Sequence, residues 1–227
     1  MKKEAADLAK AILVEAIIEN IEIEDTAPIS STFRIADLGC STGPNTFFSV
    51  NTIIEAVTEK YKIKGHSSLP EFQVHFNDRV SNDFNILFNT LPPDLQYFAS
   101  GAPGSFYNRL FPKASLNFVY SAYALQWLSR VPQELGDLKS AAYNRGRIFY
   151  SNAPYEVGKA YAAQYAMDME CFLAARAEEV APGGLMALLI PGRPDGALPA
   201  ESSIGPVFQV LEDCLVDMAN EVCTGTI

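Results

Sequence analysis

The sequence predicts an α/β fold built on a mostly parallel, Rossmann-like sheet, and three observations carry that reading. Segments of strand and helix character alternate along the chain. The stretch Phe33-Arg34-Ile35-Ala36-Asp37-Leu38-Gly39-Cys40-Ser41-Thr42-Gly43-Pro44-Asn45 passes from an apolar, β-leaning run into a glycine turn, with Pro44 where a first helical turn begins. The run Leu185 to Ile190 is continuously apolar, as a parallel strand covered on both faces is.

The elements follow in order. Lys2 to Ile18 places Leu8, Ile12, Leu13, Ala16 and Ile17 on one helical stripe. Phe33 to Asp37 reads as the first strand, and Thr46 to Tyr61 as the helix after it. In Glu71 to Asn77, the residues Phe72, Val74 and Phe76 alternate with Gln73, His75 and Asn77, the period of a second strand. Asn82 to Leu91 has helical spacing, and Ala102-Pro103-Gly104-Ser105-Phe106 reads as a loop. Leu116 to Ser121 is the third clear strand, leading into Tyr123-Ala124-Leu125-Gln126-Trp127-Leu128. A long helix is expected over Tyr155 to Val180, ended by a Pro182-Gly183-Gly184 turn before the strand Leu185 to Ile190. A last helix is expected near Val207 to Met218.

Composition narrows the classes. At 227 residues, 48% hydrophobic and 19% charged, the chain has the make-up of a single globular α/β domain with enough apolar residues for a core. A net charge of −10 without a Lys/Arg cluster argues against a nucleic-acid surface. No apolar run reaches membrane-spanning length, and Met1-Lys2-Lys3-Glu4-Ala5 opens no signal sequence, so neither membrane nor export is expected. The cysteines Cys40, Cys171, Cys214 and Cys223 form no C-x-x-C pair, and His66 and His75 are the only histidines. A structural zinc site is therefore not expected, and a reducing, cytoplasmic compartment is.

The glycine turn has the spacing G-x-x-x-G, which is neither the dinucleotide fingerprint nor a phosphate loop. An acidic residue, Asp37, just before the turn suits S-adenosylmethionine, a cation without phosphate, better than a pyrophosphate. In such sheets ligands lie beyond the carboxyl ends of the strands. Asp37 closes one strand there, Asn77-Asp78 another, and Ser121-Ala122-Tyr123 follows a third. A carboxylate at Asp78 can accept from both hydroxyls of a ribose. Asp37 and Asp78 each have an alternative reading as a helix cap or turn residue, and their joint occurrence at two strand ends favours the nucleoside.

These residues carry a resemblance. The run Ile35 to Phe47 is similar to the cofactor motif of the plant SABATH methyltransferases, which methylate salicylic, benzoic, jasmonic, indole-acetic and farnesoic acids and purine nitrogens of caffeine precursors. Further matches are Phe76-Asn77-Asp78, Asn82-Asp83-Phe84-Asn85, Pro103-Gly104-Ser105-Phe106-Tyr107, Tyr123 with Gln126-Trp127-Leu128-Ser129, and Arg176 to Met186. Together they cover nearly the whole chain.

The resemblance implies an S-adenosylmethionine-dependent methyltransferase fold with a partial helical cap beginning near residue 194. It implies cofactor contacts at Cys40 and Asn45 in the first loop, at Asp78, and at Ser105 and Phe106 beside the adenine, with Asp37 near the methionine end; Ser121, from its place at the end of the third strand, is expected to line the same crevice. Substrate contacts fall on Tyr123, Gln126 and Trp127, and a magnesium (Mg2+) position on Asn144. Two departures stand out. Arg79 replaces a leucine usual against the adenine, and would stack over the ring or point to solvent; Gln126 replaces a methionine or histidine. Without the resemblance, Tyr123 and Trp127 read as core aromatics.

A carboxylate is already a nucleophile at neutral pH, so no catalytic acid or base is expected, only alignment and exclusion of water. The expected partners are a small carboxylic acid and, in a homodimer, a second copy. Relative to the family, the sequence reads as shortened at both ends: Met1 falls at or inside the first helix, and Glu221 to Ile227 falls within the cap. Methyl transfer to a plant acid is the expected function, with activity lost if the missing parts are needed. The alternatives are a non-catalytic fragment that binds the cofactor or pairs with a full-length relative, and an N-methyltransferase of a purine-like substrate. A nicotinamide dehydrogenase is disfavoured by the absent G-x-G-x-x-G.

Overall fold

The computed structural model describes residues 2–23, 32–144, 146–150, 152–192, 194–196 and 205–224. Five parallel strands form one sheet in the order β3-β2-β1-β4-β5. They are β1 (Thr32–Leu38), β2 (Glu71–Asp78), β3 (Phe98–Pro103), β4 (Leu116–Ala122) and β5 (Val180–Leu189). The helices are α1 (Lys2–Asn20), α2 (Asn45–Ile63), α3 (Phe84–Asn89), α4 (Tyr155–Glu179) and α5 (Gly205–Thr224). Strand order reverses at β1, between β2 and β4, the switch point where such sheets open a crevice.

The chain divides into two compact units, residues 1–127 with 169–190, and residues 128–168 with 191–227. The first holds the sheet. The odd-numbered positions of β1 and the even-numbered positions of β4 place Ile35, Phe118 and Tyr120 in one core with α1 and α2, together with Ile17, Phe47, Val50, Ile53 and Phe76. On the opposite face Ala36, Leu38, Val119 and Met186 pack with Tyr107, Phe111 and Phe172. The second unit has its own smaller cluster of Leu135, Ala142 and Val157 with Tyr150 and Tyr161, and Phe149 stacks on Phe208 at 4.4 Å. Of the residues expected to begin a helical cap, from about 194 onward, the described ones are 194–196 and α5; residues 197–204 and 225–227 lie outside the described set.

Three expectations need correction. Phe98–Pro103 is a strand, where the sequence reads as a loop at its Pro/Gly end; pairing with β2, from Gln73↔Phe98 to Asp78↔Pro103, supplies the order that its residues do not. The helix expected over Asn82 to Leu91 is shorter, because Asp83 caps it by accepting from the Ile86 N–H at 3.0 Å. The Pro182-Gly183-Gly184 run does not separate α4 from β5. It lies inside β5, where Gly183 at φ +73° makes an irregularity and pairing with β4 shifts register between Leu116 and Phe118.

Candidate functional site

The carboxyl ends of β1, β2, β3 and β4 gather at Gly39. Its φ of +86° suits glycine alone, and a Cβ there would stand 2.3 Å from Ala124 Cβ and 3.8 Å from the Phe106 ring. The first loop, the segment after β3 and the segment after β4 therefore meet around one residue. Gly39 and Cys40 donate their N–H groups to the Asn77 carbonyl at 2.8 and 2.9 Å. Asn77 is fully buried, and its Nδ2 reaches the carbonyls of Ala102 at 2.6 Å and Gly104 at 3.1 Å. One residue thus ties the turns after β1 and β3 to the end of β2.

Asp78 stands in the middle of this arrangement. Its Oδ2 accepts from the Ser41 N–H at 2.8 Å and its Oδ1 from the Arg79 N–H at 2.7 Å, while its carbonyl accepts from the Gly104 N–H at 2.9 Å. Ser41, a non-glycine residue at φ +54°, is held in that strained conformation beside the carboxylate. The carboxylate is half-buried, and each oxygen keeps lone-pair capacity for a ligand hydroxyl. The Arg79 and Asn45 side chains are exposed.

Asp37 is 3% exposed and accepts from the Thr46 hydroxyl. Burial pushes its carboxyl up to about 7, the Thr46 bond works against that rise, and the Asp78 charge adds to it. Burial also pushes the Cys40 thiol well up, with Asp37 and Asp78 adding to the shift, so Cys40 is a neutral wall and not a nucleophile. Ser121 is buried and donates to the Leu38 carbonyl at 2.8 Å, bracing the β1–β4 pair at its carboxyl end. Ser105 is exposed and Phe106 half-buried.

After β4, Tyr123 takes φ +54° and its N–H bonds to the Leu189 carbonyl at 2.8 Å. Tyr123, Gln126 and Trp127 all project into solvent, Trp127 being 73% exposed, so neither aromatic is a core residue. Gln126 Nε2 donates to the Tyr123 carbonyl at 2.6 Å, which leaves its second N–H available. Asn144 belongs to the second unit. Its Nδ2 faces the Phe149 carbonyl at 3.4 Å, and its Oδ1 is buried without a hydrogen-bond partner among the described residues. Magnesium takes about six oxygen ligands, and no group of three or more His, Cys, Asp or Glu among the described residues could hold a metal. One amide oxygen does not compose a magnesium site. Among the described residues no helix is long and apolar enough to cross a membrane.

Thr46, Asn77 and Tyr107 matter to the site, yet their roles were not legible from the sequence. Thr46 sits nine residues from its partner Asp37, and only the turn between them brings the two together.

Residues 1–225 match the family model described as SAM dependent carboxyl methyltransferase. The chain is 48% identical over 224 residues to loganic acid O-methyltransferase of Catharanthus roseus, covering 97% of this chain and 60% of that protein. It is 45% identical over 213 residues to farnesoic acid carboxyl-O-methyltransferase of Arabidopsis thaliana, covering 94% and 60%. The solved structure of loganic acid methyltransferase with SAH superimposes with a TM-score of 0.89 at 49% identity, over 95% of this chain and 61% of that one. The chain thus spans about three fifths of the length of these relatives.

Proposed function

This chain belongs to the SAM-dependent carboxyl methyltransferase family, and from that premise we propose that it binds S-adenosylmethionine and transfers the methyl group to the carboxylate of a small plant acid. The observation that carries the reading is Asp78. Its carboxylate is oriented by two main-chain N–H groups at the carboxyl end of β2, beside the first loop, and Phe106 stands against the Gly39 turn of that loop. There it would accept the ribose hydroxyls, with Ser105 and Phe106 beside the adenine. The half-buried Asp78 carboxylate places negative charge at this end of the sheet, which favours a sulfonium over a phosphate.

In the proposed reaction a carboxylate oxygen attacks the methyl carbon as the carbon–sulfur bond breaks. The bonding pair leaves on sulfur, yielding the methyl ester and neutral S-adenosylhomocysteine. No proton moves, so the chain's contribution is to bind and align. Trp127 offers its indole N–H and Gln126 its remaining amide N–H to the acid, and Tyr123 an aromatic wall; donors fixed on the carboxylate hold its second oxygen and aim the first. We place the reaction in the cytoplasm: Cys40, Cys171 and Cys214 are free thiols, as a reducing compartment keeps them.

The test is calorimetry with S-adenosylhomocysteine, followed by transfer of a labelled methyl group to a panel of plant acids. Binding of the cofactor product and label appearing in a base-labile ester are expected. No binding of the cofactor product would overturn the cofactor reading, and label on nitrogen would overturn the carboxylate.

A further inference from the structure

The segment 105–111 brings Phe106 against the Gly39 turn, and two buried side chains support it from α4. Arg176 is 1% exposed; its Nη1 donates to the Phe106 carbonyl at 2.8 Å and its Nη2 to the Asn108 carbonyl at 3.0 Å, with the guanidinium 5.2 Å over the Phe172 ring. Glu179 is fully buried. It pairs through Oε2 with Arg176 Nη2 at 2.7 Å, and its Oε1 accepts from the N–H groups of Leu110 and of Phe111, the latter at 2.9 Å. Two charges taken out of water add little net stability over an apolar pair. What this pair does provide is partners for four main-chain groups of a loop, and so one conformation for it.

From that fixed segment two neighbouring rings reach in different directions. Phe106 approaches the Gly39 turn and makes an edge contact with Tyr107 at 4.8 Å. Tyr107 is buried, and its hydroxyl donates to the main-chain carbonyl of Trp127 at 2.8 Å. The exposed Trp127 side chain is therefore mounted on a carbonyl gripped by the residue next to the one beside the adenine.

We propose that Tyr107 is a positioning residue that couples occupancy of the nucleoside crevice to the placement of Trp127, with Arg176 and Glu179 as its rigid support. The inference rests on the cofactor reading given above. The pair fixes the main chain of the segment, so a ligand that packs on the Phe106 ring acts through the adjoining Tyr107 ring, whose hydroxyl holds the Trp127 main chain on the other side.

Trp127 is the single tryptophan of the chain, so intrinsic fluorescence reports this residue alone. S-adenosylhomocysteine is titrated into the wild-type protein and into Tyr107→Phe, with affinity read by calorimetry and Trp127 emission and anisotropy read in parallel. Affinities agreeing within about twofold are expected, because the ring against Phe106 remains and only the hydroxyl is removed, while the Trp127 response falls to about half or less. Arg176→Lys keeps a cation beside Glu179 but loses the planar fork; it is expected to weaken the ligand about fivefold and to blunt the same response. A full Trp127 response in Tyr107→Phe, or none in a wild-type protein that binds, overturns the coupling and leaves the cofactor reading standing. Wild-type affinity and response in Arg176→Lys overturn the supporting role of the pair. Absence of binding by the wild type overturns the cofactor reading and the coupling together.

Discussion

The Thr46 hydroxyl, on the first turn of α2, donates to the Asp37 carboxylate at the end of β1, joining the two sides of the glycine turn across a buried gap. The turn is therefore held by a polar contact whose strength depends on the charge of one carboxyl group.

That dependence has a sign. The Asp37 carboxyl lies at about 7 when folded, above its ordinary 3.8, chiefly through burial. The native state binds more protons than the unfolded chain between those values, so its contribution to stability is present at low pH and is lost as pH rises towards 7. Asp37→Asn stays neutral throughout. Its unfolding free energy from urea melts is expected to fall less than that of the wild type between pH 4.5 and about 7.5, a difference on the order of a few kcal/mol. Parallel profiles for the two proteins would show that Asp37 is ionised over the whole range.

Asp78→Ala removes the proposed acceptor for the ribose and releases the Ser41 N–H. S-adenosylhomocysteine binding is expected to weaken by about 1.5–3 kcal/mol, the range for hydrogen bonds to a charged group. Calorimetry giving equal affinities would remove Asp78 from the site.

Trp127→Phe keeps an aromatic ring and deletes the indole N–H. Methyl transfer to an accepted acid is expected to fall while S-adenosylhomocysteine affinity stays within about twofold, the pattern of an interaction made with substrate alone. Turnover equal to that of the wild type would make Trp127 a bystander.

Gly39 and Gly43 share one loop but not one constraint. Gly39→Ala places a Cβ 2.3 Å from Ala124 Cβ at φ +86°, and is expected to cost at least about 2 kcal/mol of stability and to abolish ligand binding. A Cβ at Gly43 meets nothing within 4 Å, and Gly43→Ala is expected to change stability by under about 1 kcal/mol. Denaturant melts of the two variants separate close packing from loop flexibility; similar losses in both would argue against the first.

The helix and strand pattern was largely legible because each element carries its own period. The α2 stripe and the alternation in β2 can be read without knowing their neighbours. The strand ends were legible for the same reason: Asp37 follows an apolar run and Asp78 an alternating one, and parallel strands bring such ends to the same edge of the sheet. β3 escaped because Phe98-Ala99-Ser100-Gly101-Ala102-Pro103 has no β-branched residue and ends in proline; its extended form comes from hydrogen bonds to β2. Arg176 and Glu179, three apart on a helix, look in sequence like an ordinary surface ion pair. Packing against the 105–111 segment makes them a buried brace, just as packing raises the Asp37 carboxyl. Local periodicity is a property of the chain, but which polar groups lose their water is settled only when distant segments close over them, since desolvation and hydrogen-bond partners both come from residues far along the sequence.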